Sequence, residues 1–152
     1  MFETKETTIK TIVTKQPPII KVGVGVVIYR QFGEESKILL GLRKGAHGEG
    51  TWSPPGGHLE WGETFEECAK RKVKEKTTLD IKILGQIYTT SDHFFQEQLH
   101  YVTVFIKAEW WGGNPKITDP DKCEEWYWWN PKKLPAELFL PFQQLVKNGN
   151  LR

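Results

Sequence analysis

The alternation of apolar and polar segments near the start of the chain predicts a hairpin of two buried strands. The two apolar runs are Val22–Tyr29 and Lys37–Lys44. A polar segment, residues 30–36, separates them, and its Gly33 supplies the backbone freedom that a tight turn requires. We therefore expect the ordered domain to begin with a pair of strands that enter its core.

Later segments continue the strand pattern and add two helices. Further strands are predicted near Ile81–Thr90, His100–Trp110 and Glu124–Trp129. One helix is predicted from Thr64 to Thr77, because Thr64 and Glu67 form a capping-box signature and no Gly or Pro follows. A closing helix is predicted over about Pro135–Asn148. Mixed strands with helices on both sides predict an α/β fold, an α/β/α sandwich with a mixed β-sheet.

A fixed loop precedes the first predicted helix and meets its charged face. Pro54–Gly57 cannot continue a helix or a central strand, so this segment forms a loop with an accessible backbone. Residues three and four apart share a helix face, so Lys72, Glu75 and Lys76 project together. The loop and this face are the first candidates for contact with a ligand.

The segment from Gly56 to Ile81 resembles the Nudix box, whose pattern is G-x5-E-x7-R-E-U-x-E-E-x-G-U with U an apolar residue. The residues that match it are Gly57, Glu63, Arg71, Val73, Glu75 and Leu79. Lys72 and Lys76 stand where the pattern has glutamates. The resemblance covers about residues 20–148 and is greatest to MutT-like and human MutT-related nucleotide pyrophosphatases. It implies a Nudix-type sandwich and hydrolysis of a nucleoside diphosphate-linked substrate.

The resemblance also implies roles for individual residues. In Nudix enzymes, Mg²⁺ or Mn²⁺ ions neutralise the diphosphate and acidify the attacking water. By position, the Gly57 carbonyl and the Glu75 carboxylate would be metal ligands, while Glu63 would pair with Arg71 and brace the loop on the helix. The expected catalytic residues are Glu63, Arg71 and Glu75, together with Glu97 from a later loop. The residues expected near the substrate are Arg43, Gly56, Gly57, His58, Lys72 and Lys76.

The two lysines at ligand positions predict a weakened metal site. A protonated lysine has three donors and no acceptor, so it cannot coordinate a metal ion, although it binds phosphate as a point charge. One hypothesis is a Mg²⁺-dependent nucleotide pyrophosphohydrolase with impaired catalysis. The carboxylates available to it are Glu60, Glu63, Glu66, Glu75 and Glu97. The alternative is an inactive nucleotide- or phosphate-binding module in which Arg43, Lys72 and Lys76 hold the anion.

The seven tryptophans leave further alternatives open. Trp126 or Trp128 would suit a purine slot, because aromatic rings stack on bases, but core or interface packing is the favoured interpretation of any one of them. An interaction scaffold whose Trp-rich surface forms a homodimer or hetero-oligomer face is a third, weaker functional hypothesis. His93 and His100 are expected to be packing or surface residues, and Glu97 is equally well explained as an exposed loop acid.

Composition and charge narrow the class of protein. The chain has 152 residues and a net charge of +2, which suits one domain and gives no electrostatic case for nucleic acid or membrane partners. Two cysteines, Cys68 and Cys123, form no CxxC pair and are expected to be reduced thiols in a cytoplasmic protein. We expect residues 1–20 to form an arm and residues 21–152 to form a single domain.

Overall fold

The computed structural model describes residues 18–45, 47–149 and 151. Within this part of the chain, seven strands form one sheet and two helices pack against it. The strands are β1 (Ile20–Phe32), β2 (Glu35–Arg43), β3 (Trp52–Ser53), β4 (Gly56–His58), β5 (Asp80–Phe94), β6 (Leu99–Gly112) and β7 (Cys123–Trp129). The helices are α1 (Phe65–Thr77) and α2 (Leu140–Lys147). Both are too short and too polar to cross a membrane.

Strand β1 organises the sheet. It pairs in parallel with β6, from Ile20 opposite His100 to Tyr29 opposite Glu109. On its other side β1 pairs with β4 near its start and with β2 near its end. The order along the main path is β3-β2-β1-β6-β5, and β7 pairs with β2. The sheet is therefore mixed, and the Nudix-type α/β/α sandwich that the sequence predicts is confirmed.

Helix α1 covers one face of the sheet. Its N-terminus has the predicted capping box, in which Thr64 and Glu67 bond each other's backbone N–H groups. Cys68, Ala69 and Val73 are completely buried in the core on this side. The helix ends at Thr77, and the capping residue after it, Thr78, is left-handed with φ 67°. A left-handed conformation favours glycine, and the Nudix pattern has a glycine at the position that Thr78 occupies.

Helix α2 covers the opposite face, where Phe105, Phe142 and Leu145 form the centre of a second apolar cluster. It begins at Leu140, five residues later than the start at Pro135 that the sequence predicts. The preceding residues are held in extended form against β3, because Trp52 N–H donates to Glu137 O and Phe139 N–H donates to Trp52 O. The two short strands β3 and β4 are not predicted by the sequence pattern.

The predicted division into an arm and a domain stays a prediction. Residues 1–17 of the arm lie outside the described residues, and β1 begins at Ile20. Both cysteines are free, with Cys68 buried and Cys123 partly buried.

Candidate functional site

The loop before α1 is fixed against β1 by close backbone packing. Val26 N–H donates to Pro55 O at 2.8 Å, and a side chain at Gly56 would collide with the carbonyl oxygen of Val24. Gly57 is covered on its other side by the side chain of Lys72, whose Cδ and Cε lie where a Cβ would stand. Only glycine fits at Gly56, where the obstacle is backbone, whereas a side chain at Gly57 would displace the end of Lys72, which lies directly on the loop.

Arg71 joins this loop to the helix. Its Nε donates to Glu63 Oε2 at 2.6 Å and its Nη2 donates to Glu63 Oε1 at 2.9 Å. The same Nη2 donates to the carbonyl of His58 at 3.1 Å. The hydrogen bond from Arg71 holds the pKa of Glu63 at about 2, so the pair stays ionised over the whole range of neutral and mildly acidic pH. The contact expected from the sequence is thus present, in bidentate form.

The carboxylate of Glu75 is bound by cations of its own helix. Lys72 Nζ lies 3.1 Å from Glu75 Oε2, and Arg71 Nη1 lies 3.7 Å from the same oxygen. The hydrogen bond from Lys72 lowers the pKa of Glu75. Glu60 is drawn to Arg71 as well, at 3.5 Å, whereas Glu66 lies exposed in the first turn of α1. The acidic groups nearest the loop therefore already have protein cations as partners.

This arrangement does not fit a divalent metal ion. In the described part of the chain, no three His, Cys, Asp or Glu side chains come together as a metal-binding group. Mg²⁺ requires several oxygen ligands in near-octahedral geometry, and Lys72 occupies the space between Gly57 and Glu75 with an aliphatic stem and an ammonium group.

We call the region between the loop Pro54–Gly57 and the charged face of α1 the cleft. Cations from separate elements act on this region and form what we call the basic cluster: Lys21, Arg43, Lys72, Lys76 and Lys122. Burial, together with the nearby charges of Lys72, Arg43 and Lys122, lowers the pKa of Lys76 to about 8. Burial also lowers the pKa of His58, with four lysines of the cluster adding to the effect. The positive charge here exceeds what Glu75 neutralises.

A second group of side chains lines the sheet face beside the basic cluster. We call it the aromatic cage: His47, Phe94, Tyr101 and Phe139. The His47 ring centroid lies 4.5 Å from Phe94 and 5.2 Å from Phe139, edge to face in both cases, and 5.9 Å from Tyr101, stacked. Both ring nitrogens of His47 are buried without a hydrogen-bond partner in the described structure.

Tyr101 and Arg43 join the cage to the cleft. His58 Nε2 and Tyr101 OH lie 2.9 Å apart, and the two rings are stacked with centroids 5.5 Å apart. Arg43 donates from Nε to His47 O at 3.0 Å, and its guanidinium lies 4.0 Å over the Phe139 ring. One molecule with an anionic end and a planar end would touch both groups.

A model of the NUDIX domain matches residues 20–147, which is most of the chain. The chain belongs to the NUDIX family. An oxidized purine nucleoside triphosphate hydrolase of Danio rerio is 30% identical over 103 residues, or 67% of this chain and 64% of that protein. An ADP-ribose pyrophosphatase of Methanocaldococcus jannaschii is 33% identical over 96 residues, or 62% of this chain and 56% of that protein. The matches thus span less than two thirds of both relatives.

Solved Nudix structures share the fold. A MutT NUDIX hydrolase from Burkholderia pseudomallei has a TM-score of 0.77 at 25% identity, covering 86% of this chain and 98% of that one. The NUDIX domain of Shewanella oneidensis NrtR, crystallised with ADP ribose, has a TM-score of 0.66 at 21% identity, covering 91% of this chain and 95% of that one.

The Nudix residues that the sequence singles out fall into two groups. Those around the box, from Gly56 to Lys76, lie together with Arg43 at the cleft. Glu97 lies in the turn between β5 and β6, where its charge acts on His47 of the cage. Its catalytic role stays a prediction.

The aromatic residues proposed from sequence for a purine slot pack elsewhere. Trp126 and Trp128 pack against the core on the α1 side, and the Trp126 ring lies over Gly41. This agrees with the packing interpretation. His93 and His100 stack on the exposed face of the β5–β6 pair.

Sequence reasoning did not find the cage or two lysines of the cluster. The residues it missed are Lys21, His47, Phe94, Tyr101, Lys122 and Phe139. They come from distant segments, so no local motif marks them. The strand predicted near His100–Trp110 was the only available signal, since side chains alternate along a strand and Tyr101, Thr103 and Phe105 then share one face.

Proposed function

We propose that this Nudix domain binds a nucleoside diphosphate-linked compound, and that its hydrolysis of such a compound is impaired. The phosphates lie on the basic cluster and the ring lies in the aromatic cage. The names of the relatives support the ligand class, since one acts on oxidized purine triphosphates and another on ADP-ribose. The NrtR domain that shares the fold was crystallised with ADP ribose.

Electrostatics supports the placement of the phosphates. The cluster carries more positive charge than Glu75 balances, and part of it is buried. An ammonium group binds phosphate without a metal ion, and the guanidinium of Arg43 adds directed donors. A dianionic diphosphate would also relieve the mutual repulsion of Lys72 and Lys76. The ligand is therefore attracted by the cations, and its binding also offsets the repulsion between Lys72 and Lys76 that destabilises the free protein.

Impaired hydrolysis follows from the same side chains. The family's reaction depends on divalent cations, and a unit charge about 5 Å away repels another by roughly 3 kcal/mol at an effective dielectric constant of 20. A divalent ion carries twice that charge, so Lys72 and Lys76 would each cost a metal ion beside Glu75 about twice as much, roughly 7 kcal/mol. The observation that carries the proposal is the Lys72 side chain, which covers Gly57 and binds Glu75.

Calorimetric titration with pyrophosphate and with nucleoside diphosphates, in EDTA, tests this proposal. Binding should persist without metal and weaken as ionic strength rises, because salt screens the attraction. Lys122→Met, in the segment just before β7, should weaken binding about fivefold or more, equal to about 1 kcal/mol. The matched control is Lys70→Met, which removes an exposed charge from α1 and should leave affinity unchanged. Binding that requires Mg²⁺ would contradict the proposal.

A second candidate is a working pyrophosphohydrolase. It is favoured by the carboxylates of Glu60, Glu63 and Glu75, which all lie within 3.7 Å of Arg71 and so remain close to the cleft. Phosphate release from nucleoside triphosphates and dinucleotides, measured with Mg²⁺ or Mn²⁺ and with EDTA, distinguishes the two. Robust metal-dependent turnover by the unaltered chain would establish this second function.

A further inference from the structure

Asp92 is a buried acid with an unsatisfied oxygen. It lies on β5 and is 3% exposed, and its Oδ2 has no hydrogen-bond partner within the described part of the chain. Leaving a buried acceptor unpaired costs free energy, and a buried charge without partners costs more. The nearest internal donor is the Thr90 hydroxyl, two residues earlier on the same face, which is also buried without a partner among the described residues. An ionised carboxylate has about four acceptor sites, so the capacity that Thr90 leaves over is open to a ligand or to an ordered water.

The strand register places Asp92 beside the aromatic cage. Asp92 stands directly opposite Tyr101 in the antiparallel pair of β5 and β6, so the two side chains share one face of the sheet. Phe94, two residues further along β5, is on the same face and contacts both Tyr101 and His47. Asp92 therefore shares this face of the sheet with two rings of the cage, where the proposed function places the ring of the ligand.

The chemistry of a carboxylate restricts what it can accept from such a ring. An ionised carboxylate has acceptors only, and it forms its strongest contacts with a pair of adjacent N–H donors. Burial raises the pKa of Asp92, opposed by the nearby Thr90 hydroxyl and by His100. If the ring presented one donor beside one acceptor, one carboxylate oxygen of Asp92 would face the lone pair of the ring's acceptor atom, and the two would repel each other.

We propose that Asp92 sets the specificity of this site by selecting a ring with two adjacent N–H donors. Among the common nucleobases, guanine presents such an edge, with its ring N–H beside its 2-amino group. The occupant is therefore a guanine-type nucleoside diphosphate-linked compound. This inference rests on the proposed function, which supplies the phosphate end of the same ligand.

Guanosine and inosine diphosphates provide the test, because they differ only in the 2-amino group. The natural chain should bind GDP at least about tenfold more tightly than IDP, equal to about 1.4 kcal/mol, as expected for a hydrogen bond to a charged group. Asp92→Asn keeps the shape but replaces one acceptor with a donor, so it should reduce this ratio to near one. Ser91→Ala, on the opposite face of the same strand, is the matched control and should keep the ratio.

Each outcome of the titrations bears on the inference. Equal binding of GDP and IDP by the natural chain, or a preference that survives in Asp92→Asn, would overturn the role of Asp92 and leave the phosphate site standing. A melting temperature that changes in Asp92→Asn without any change in the GDP to IDP ratio would assign the acid to internal water instead, and would also overturn it. If GDP, IDP and pyrophosphate all fail to bind, the proposed function falls and this inference falls with it.

Discussion

Replacing Lys76 with methionine should make the protein more stable at neutral pH while weakening its hold on phosphate. Lys76 is partly buried on α1 among the charges of Lys72, Arg43 and Lys122. Methionine has a similar length and keeps the apolar packing of the lysine stem. The substitution removes a positive charge whose burial lowers the stability of the folded protein. It also removes an ammonium group to which an anionic ligand would bind.

The size of the effect follows from the lowered pKa of Lys76. Burial and neighbouring charges shift it from 10.5 to about 8. At 1.36 kcal/mol per unit, the folded state carries a penalty of about 3 kcal/mol for this ammonium at neutral pH. We take that as an upper limit, because relaxation of the side chain and salt reduce it, and expect a gain of about 1 to 3 kcal/mol in the free energy of unfolding.

The pH dependence gives the effect a recognisable form. Between about pH 8 and 10.5 the unfolded chain holds a proton on Lys76 that the folded chain has lost, so the stability of the natural protein rises with pH in this window. Below pH 8 the penalty is present in full, and above 10.5 it disappears. The stability difference between Lys76→Met and the natural chain should therefore be constant near neutral pH and fall to zero above pH 10.5.

Urea unfolding of both proteins from pH 7 to 11 measures this difference, and subtraction removes other titrating groups that the two chains share. Lys70→Met is the control, because Lys70 is exposed on the same helix. Pyrophosphate titrations in EDTA give the functional half of the prediction. A variant that is less stable at pH 7, or a difference that does not shrink towards pH 10.5, would refute the reasoning about the buried cluster.

Three further predictions concern the loop, the helix face and the helix end. Arg71→Ala should lower the melting temperature and weaken pyrophosphate binding, since it leaves Glu63 and the loop without their bidentate partner; unchanged values beside a Lys70→Ala control would exclude this bracing role. The double variant Lys72→Glu, Lys76→Glu should raise Mg²⁺-dependent phosphate release by orders of magnitude, with smaller gains for each single change. Equal Mg²⁺-dependent release by the natural chain would refute this prediction. Thr78→Gly should raise the unfolding free energy by about 1 kcal/mol by relieving a left-handed threonine, and equal or lower stability in urea would contradict that.

The parts of the fold that depend on short stretches of sequence were predictable. Helix α1 follows from its capping box and from good helix formers, and it runs from Phe65 to Thr77 as expected. The long strands follow from apolar runs and alternation. The end of the chain was less predictable, because residues before Leu140 are held in extended form by hydrogen bonds to Trp52, which is far away in sequence.

The site was predictable only where a motif encodes it. The pairing of Glu63 with Arg71 follows from the spacing of the box, and the helical period places Lys72, Glu75 and Lys76 on one face. The aromatic cage has no such signal, since His47, Phe94, Tyr101 and Phe139 come from four separate segments. Their proximity depends on sheet register and on the extended chain before α2, which a local pattern does not encode.

Helix α1 explains how the fold and the chemistry of the site vary independently. Its buried face, with Cys68, Ala69 and Val73, packs on the sheet, whereas Lys72 and Lys76 project towards the cleft. Exchanging acids for lysines on the second face leaves the packing of the first unchanged, so the Nudix architecture persists. The charge that meets a diphosphate is nevertheless reversed. Where a Nudix enzyme brings a metal ion between its acids and the phosphates, the proposed function has these lysines contact the phosphates directly, an arrangement that would favour binding over turnover.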